Sequence, residues 1–338
     1  LLTLGPALYA DALVRLEARV TPVCGDLSRP KLALPEDRWR SLAEGIHTIY
    51  HNGALVNYLL DYASLRDVNV GSTNEVVRLA VSGRAKVVNH ISSTFIFGWS
   101  TKATLFEADR NEAMELLDFG YSQTKWVAEQ VVFDALRQGV PARVFRPALI
   151  TPSVSGGGQN FDIAIRLLAF MLKHGIGTTA GNQVSFSPAD QVAHNIVAIA
   201  TLPETVGKTF HVTRDSYANM QDITGLLAEI TGRRIEYHTL EDFVPEVIAR
   251  CRKDDLLFPL LDFLVRSAEN ITAMEFKRYC NRNYREARDR SPRGAEDASL
   301  REVVEGIVRF MRRHGIADAN GEGGSIHSRE VGHDHARR

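Results

Sequence analysis

Apolar residues along the chain recur with two periods, and the switches between them outline the elements. Over residues 69–80, Val70, Val76, Val77, Leu79 and Ala80 fall on one face of a helix. Over residues 121–136, the spacing of Trp126, Val127, Val131, Val132 and Leu136 predicts a second helix with an apolar stripe. Between them, residues 86–91 form a short β-prone run that stops in a hydroxyl cluster, Ser92-Ser93-Thr94. Residues 19–24 and 48–51 read as short strands closed by turn signals, Gly25-Asp26-Leu27 and Asn52-Gly53. Residues 9–16 read as the end of a helix, 38–43 as a helix, and 142–145 as a strand stopped by Arg146-Pro147. Strands alternating with helices of this length predict an α/β fold built from parallel βαβ units.

After Ser153 the texture changes. Ser155-Gly156-Gly157-Gly158 reads as a mobile loop on the substrate side or, equally, as a plain linker. A mostly helical region follows, with strand-like pieces at residues 208–213 and 234–238. From Asp318 onward the chain is rich in Gly, His and Arg without periodicity, so residues 318–338 are expected to be a disordered tail.

Composition narrows the picture. The 338 residues suffice for one large domain, or a large and a small one, with a sizeable core. A net charge of -1 exerts no general pull on nucleic acid or an anionic membrane, and neither is expected as a partner. The apolar run at 163–172 is interrupted by Arg166 and falls short of the ~20 residues that span a bilayer. No basic stretch precedes an apolar core at the start, which argues against a signal peptide. Cys24, Cys251 and Cys280 have neither CxxC spacing nor an even count. They suit buried free thiols in a reducing cytoplasm better than disulfides or zinc.

The candidate chemistry centres on Ser93, Tyr121 and Lys125. Tyr121 and Lys125 are four apart, which places both on one helix face. Reduction of a carbonyl by hydride leaves an oxyanion that must receive a proton. A phenol can supply it if its pKa, ordinarily about 10, is lowered. A nearby lysine stabilises the phenolate and can also hold a nicotinamide ribose. The strand at 86–91 delivers the Ser93 hydroxyl to the C-terminal edge of the sheet, where open α/β sheets bind ligands, completing an oxyanion-binding pair. Tyr-x-x-x-Lys alone is common by chance, so its weight comes from the hydroxyl cluster before it and Arg-Pro after it.

That order, with Phe97-Gly98 after the hydroxyl cluster, resembles the extended short-chain dehydrogenase/reductase family. Three further stretches carry a narrower likeness: Val23-Cys24-Gly25-Asp26-Leu27-Ser28, Tyr50-His51-Asn52-Gly53-Ala54-Leu55-Val56-Asn57 and Asn69-Val70-Gly71-Ser72-Thr73-Asn74-Glu75-Val76. Over about residues 11–315 the chain resembles the thioester reductase (terminal reductase, R) domains that end nonribosomal peptide and polyketide synthetases. Carboxylic acid reductases and fatty acyl-CoA reductases are related.

The resemblance implies an NADPH-dependent oxidoreductase that releases an acyl or peptidyl thioester from a carrier protein's phosphopantetheine arm as an aldehyde. Some family members continue to a primary alcohol. Ser93, Tyr121 and Lys125 match the catalytic positions, with Lys125 also on the ribose. Asp26 and Leu27 match the pair near the adenine, and Asn52, Gly53 and Ala54 a loop along the cofactor. Pro147, Ala148, Leu149 and Ile150 match the segment lining the nicotinamide, and Asn69 a helix position that is structural or water-binding rather than chemical. The resemblance implies an α/β fold with a Rossmann-like doubly wound parallel sheet, N-terminally incomplete, and a mostly helical C-terminal substrate subdomain. It divides the chain into an NADP-binding core over 1–152, a mixed substrate subdomain over 153–317 with segments returning to the core, and the tail.

The likeness has one gap. The family opens with a strand and a GxxGxxG turn that holds the pyrophosphate, and nothing before Asp26 offers it. Residues 1–20 instead resemble the helix after the second strand, so the first βαβ, roughly fifty residues, is expected to be missing and NADPH to bind poorly. Two alternatives stay open: a sugar-nucleotide epimerase or dehydratase of the same superfamily, and a truncated, non-catalytic carrier-binding domain.

Other features are read more plainly. Arg278, Arg282, Arg285, Arg288, Arg290 and Arg293 form a series that could dock an acidic carrier protein, but a solvated helix face balanced by Glu286 and Asp289 is the favoured reading. His327, His333 and His335 lie in the tail and carry no metal expectation. His51 and His90, at strand ends near the expected site, are read as satisfied core histidines.

Overall fold

The computed structural model describes residues 19–98, 100, 102–273 and 278–316. The expectations for the helix end at 9–16, the tail and its histidines lie outside the described residues.

Four parallel strands, Thr48–His51, Val87–Ile91, Ala142–Pro147 and Thr209–Val212, lie side by side in that order. Their register pairs His51 with His90, Ile91 with Phe145, and Pro147 with Val212, so the strand ends converge along one edge. Adjacent residues of the third strand serve opposite faces. Val144 packs with Val76, Ala80, Val88 and Val132 on one side, whereas Phe145 packs with Val192, Ile196, Phe210 and Tyr284 on the other. A sheet covered on both faces is what parallel strands require. The second core belongs to the helices Ile163–His174, Met220–Thr231, Leu240–Arg250 and Leu300–Arg313, which bury Leu168, Phe170, Leu227, Phe243 and Phe310 together.

Several local expectations are corrected. Residues 19–24 are irregular rather than a strand. Among the described residues no strand pairs along the outer edge of Thr48–His51, and a β-prone run without a ladder partner gains nothing from extending. The helix predicted from Asn69 begins earlier, at Tyr62, where the Asp61 carboxylate accepts from the Ser64 N–H at 2.9 Å. It then passes through a π-helical turn, Asp67–Gly71, into Ser72–Val81.

The stripe of the helix Gly120–Arg137 is rotated from its expected position. Tyr121, Lys125, Ala128, Glu129 and Val132 form its buried face, while Trp126, Val127 and Val131 are only half-buried. The third strand continues through Arg146 to Pro147. The glycine cluster is a packed loop rather than a free linker, and Gly157 and Gly158 lie on the wall of a cavity at the strand ends, on the side expected. Gly156 and Gly157 are buried beneath the helix Leu300–Arg313, whose Arg309 and Arg313 donate to the carbonyls of Val154 and Gly156. A Cβ on Gly156, whose φ is +80°, would stand 2.6 Å from the Arg309 Cβ.

Of the cysteines, Cys251 is buried and Cys280 intermediate, but Cys24 is exposed because the segment carrying it has no partner. Arg288 departs from the solvated face: it is 6% exposed and held by Asp215, Asp289 and Asp297. Arg282, Arg285 and Arg290 do face solvent.

Candidate active site

The C-terminal strand ends open onto a cavity of about 830 Å³. Nine of the residues singled out from the sequence line it: Ser93, Tyr121, Lys125, Asn52, Ala54, Pro147, Ala148, Leu149 and Ile150. Asp26, Leu27 and Gly53 do not. Asp26 is exposed and its carboxylate caps Ser28, and Gly53 packs on Leu27, whose Cδ1 would lie 2.7 Å from an added Cβ.

Ser93 leaves the end of the Val87–Ile91 strand and caps a 3₁₀ turn, its hydroxyl accepting from the Phe95 N–H at 3.2 Å. That hydroxyl also acts on the Tyr121 side chain, favouring its ionised form. Tyr121 sits in the first turn of its helix, brought close by Gly120. A Cβ at Gly120 would stand 2.3 Å from the carbonyl carbon of Asp61, so only glycine lets the two segments touch here. One turn on, the Lys125 ammonium donates to the Ile91 carbonyl at 2.7 Å, tying the helix to the same strand end that presents Ser93. Arg146 pins the next turn of the same helix face: fully buried, it donates to both carboxylate oxygens of Glu129 at 2.8 and 2.9 Å. The Arg-Pro signal therefore marks a structural clamp.

Electrostatics differ from the expectation in one respect. Burial, with the Asp162 carboxylate adding to it, pushes the Tyr121 phenol up, and the Ser93 hydroxyl only partly opposes this. The phenol is thus held protonated rather than lowered. Burial also brings Lys125 down to about 8, against the attraction of Glu129. Behind the lysine, burial and the Lys125 charge bring His51 down to about 4. His51 is satisfied by Thr73 at 3.0 Å. Its neighbour His90, ring centroids 5.4 Å apart, has neither nitrogen hydrogen-bonded, contrary to the satisfied core histidine expected.

Asn69, 2% exposed in the π turn, accepts from the Leu55 N–H and donates to the Leu55 carbonyl and Thr124 hydroxyl. It fixes the loop after Asn52 against the tyrosine-bearing helix. Several lining residues carried no sequence signal for this role: Tyr58, Phe95, Asp162 and Arg166. The Tyr58 hydroxyl donates to Asp162 at 3.1 Å across 104 residues. An N-cap reading of Asp162 before the apolar run at 163–172 would have placed that residue at a helix start, though not at the site.

The donor set at the strand ends, an ammonium and an amide beside backbone and apolar surface, fits the ribose and carboxamide half of a nicotinamide. No described helix is long and apolar enough to cross a membrane.

The chain is 31% identical over 233 residues to one of the proteins of the linear gramicidin synthase of Brevibacillus parabrevis, spanning 68% of this chain but 5% of that protein. The chain therefore corresponds to a small part of this curated relative. The terminal R domain of the myxalamid polyketide–nonribosomal peptide pathway superimposes with a TM-score of 0.82 at 27% identity, covering 90% of this chain and 78% of that one. A thiolation-reductase di-domain from an archaeal nonribosomal peptide synthetase shares the fold, at TM-score 0.72 and 18% identity over 90% of this chain and 64% of that one. A family model described as Male sterility protein, an NAD-binding family, matches residues 6–196, more than half of the 338. The chain, with its Rossmann-like sheet, belongs to that family.

Proposed function

We propose that this chain reduces the carbonyl of a carrier-bound acyl or peptidyl thioester and releases it as an aldehyde. The observation that carries the reading is the meeting of Ser93, Tyr121 and Lys125 on one wall of the cavity, at the ends of parallel strands. Asn52, Ala54, Lys125 and residues 147–150 would hold a nicotinamide, with NADPH the form to test. When bound, the reduced nicotinamide supplies the hydride.

The protein's own part follows from the geometry. The Ser93 hydroxyl and Tyr121 phenol, which line the same cavity, offer two donors to the oxygen on which charge develops. A phenol kept protonated by burial suits the donor's role, because its proton is in place when the oxyanion forms. Lys125, on the same helix face and held near neutrality, lies where it can favour the phenolate that remains. The adduct is a hemithioacetal. It collapses by breaking the carbon–sulfur bond, giving the aldehyde and the free thiol of the arm. The likeness to synthetase reductase domains, one solved together with a thiolation domain, supports a carrier protein as the thioester donor.

The test is incubation of the chain, with any upstream segment of its natural polypeptide, with NADPH and a carrier protein loaded with an acyl thioester. Aldehyde or alcohol identified by mass is the expected product. Tyr121→Phe should remove it while leaving thermal unfolding cooperative. Unchanged turnover in Tyr121→Phe overturns the assignment. Conversion of a nucleotide sugar in place of the thioester would favour the epimerase-type alternative.

A further inference from the structure

A second cavity of about 320 Å³ opens beside the first, with Phe95, Ala148, Leu149 and Ile163 lining both. It reaches in between the helices Ile163–His174, Leu240–Arg250 and Leu261–Ala273. Among the described residues no lining side chain carries a charge, and Leu167, Met171, Phe243, Val244, Val247 and Leu264 set its character. The partition between the two spaces is aromatic. Tyr58 contacts Tyr121 at 6.0 Å between centroids and Phe263 at 5.4 Å, while Phe119 contacts Phe95 at 5.8 Å and Phe263 at 5.5 Å. The Phe95 N–H donates to the Ser93 hydroxyl, as already described, so a carbonyl held by Ser93 and Tyr121 lies at the doorway.

We infer that the smaller cavity is an acyl pocket, and that the substrate's acyl group is an apolar chain of on the order of ten carbons. This rests on the proposed thioester reduction. The length follows from volume: at ~30 Å³ for each water- or methylene-sized unit, about 320 Å³ holds roughly ten. The chemistry follows from the wall. An aliphatic chain gains by leaving water for such a surface, while a carboxylate or ammonium at its end would be buried without an ionic partner. The pocket therefore selects against acyl groups ending in a charge and against chains too long to be enclosed.

Calorimetric titration of the full chain with S-alkyl pantetheine thioethers tests this without cofactor or turnover. Affinity should rise about threefold to fourfold per methylene from S-methyl to about S-decyl and then level off, with a negative heat-capacity change. Val244→Trp and Leu167→Trp fill the space from half-buried positions and should cut S-decyl binding at least tenfold while leaving S-methyl binding within twofold. Should either variant fail to fold, the chain-length series on the unaltered protein decides. Equal affinity for S-methyl and S-decyl, or for S-decyl and its ω-carboxylate analogue, overturns the acyl pocket. Loss of thioester turnover with the chain-length series intact overturns the reductase reading and leaves the pocket standing. Turnover without chain-length preference does the reverse.

Discussion

The two adjoining cavities share part of a wall yet differ in chemistry and in origin. The larger presents Lys125, Arg166, Asp162 and the phenols of Tyr58 and Tyr121, mostly at strand ends and first helical turns. The smaller presents mainly aliphatic and aromatic side chains, many of them from three helices of the later part of the chain. In the larger, several polar groups are restrained by a partner nearby: Lys125 by the Ile91 carbonyl, Tyr58 by Asp162, Ser93 by the Phe95 amide. In the smaller, size and the lack of a charged residue among the described lining residues discriminate. A buried polar group needs a specific partner, whereas apolar surface needs only enclosure.

The largest expected effect lies on the polar side. Tyr121→Phe should lower kcat about 10²- to 10⁴-fold while leaving S-decyl pantetheine affinity unchanged, measured by steady-state kinetics and calorimetry on the same preparation. If both fall together, the two cavities do not act separately.

A smaller effect concerns Lys125, whose folded pKa of about 8 lies below its unfolded value near 10.5. The unfolded chain binds the extra proton between those values, so this group makes stability rise as pH climbs from 8 toward 10.5, by up to about 3 kcal/mol. Urea titrations at pH 8 and pH 10 should show that increment in the parent and not in Lys125→Met. An identical increment in both would mean that the lysine is better solvated than its burial indicates.

On the acid side the sign is the same and the window differs. His51, near 4 when folded against 6.5 unfolded, contributes stability that is complete above pH 6.5 and lost as pH falls toward 4. The loss is again up to about 3 kcal/mol. His90, pushed well below its ordinary value by burial and the charge of Lys125, adds in the same direction. His51→Gln should flatten the acid limb, and an unchanged limb would remove His51 from that account.

The smallest change is Asn69→Ala, which strands the amide and carbonyl of Leu55. It should cost about 1–3 kcal/mol in urea unfolding and raise KM more than it lowers kcat, since the residue holds a cavity loop without touching the reacting group.

Much of this site could be anticipated because its information is local. Tyr121 and Lys125 are one helical turn apart, Ser93 follows its strand directly, and Pro147 to Ile150 follow another. What escaped depends on distant contacts. Asp162 reads locally as a helix cap, and nothing near it announces Tyr58. Phe95 reads as an apolar residue in a turn, although it stands at the doorway between two spaces. The strand expected at 19–24 failed for the same reason in reverse, since local β preference has no effect without a neighbour to pair with.

Hydrophobic periodicity and the order of a few polar residues were enough to establish the α/β alternation, the strand ends and the helix that carries tyrosine and lysine. These follow from backbone geometry, which repeats every two or 3.6 residues. The direction of the Tyr121 shift, the clamp formed by Arg146 and Glu129, the unpartnered His90 and the apolar cavity came from packing. Each depends on which side chains exclude water from a given point, and that is set by segments far apart in the chain.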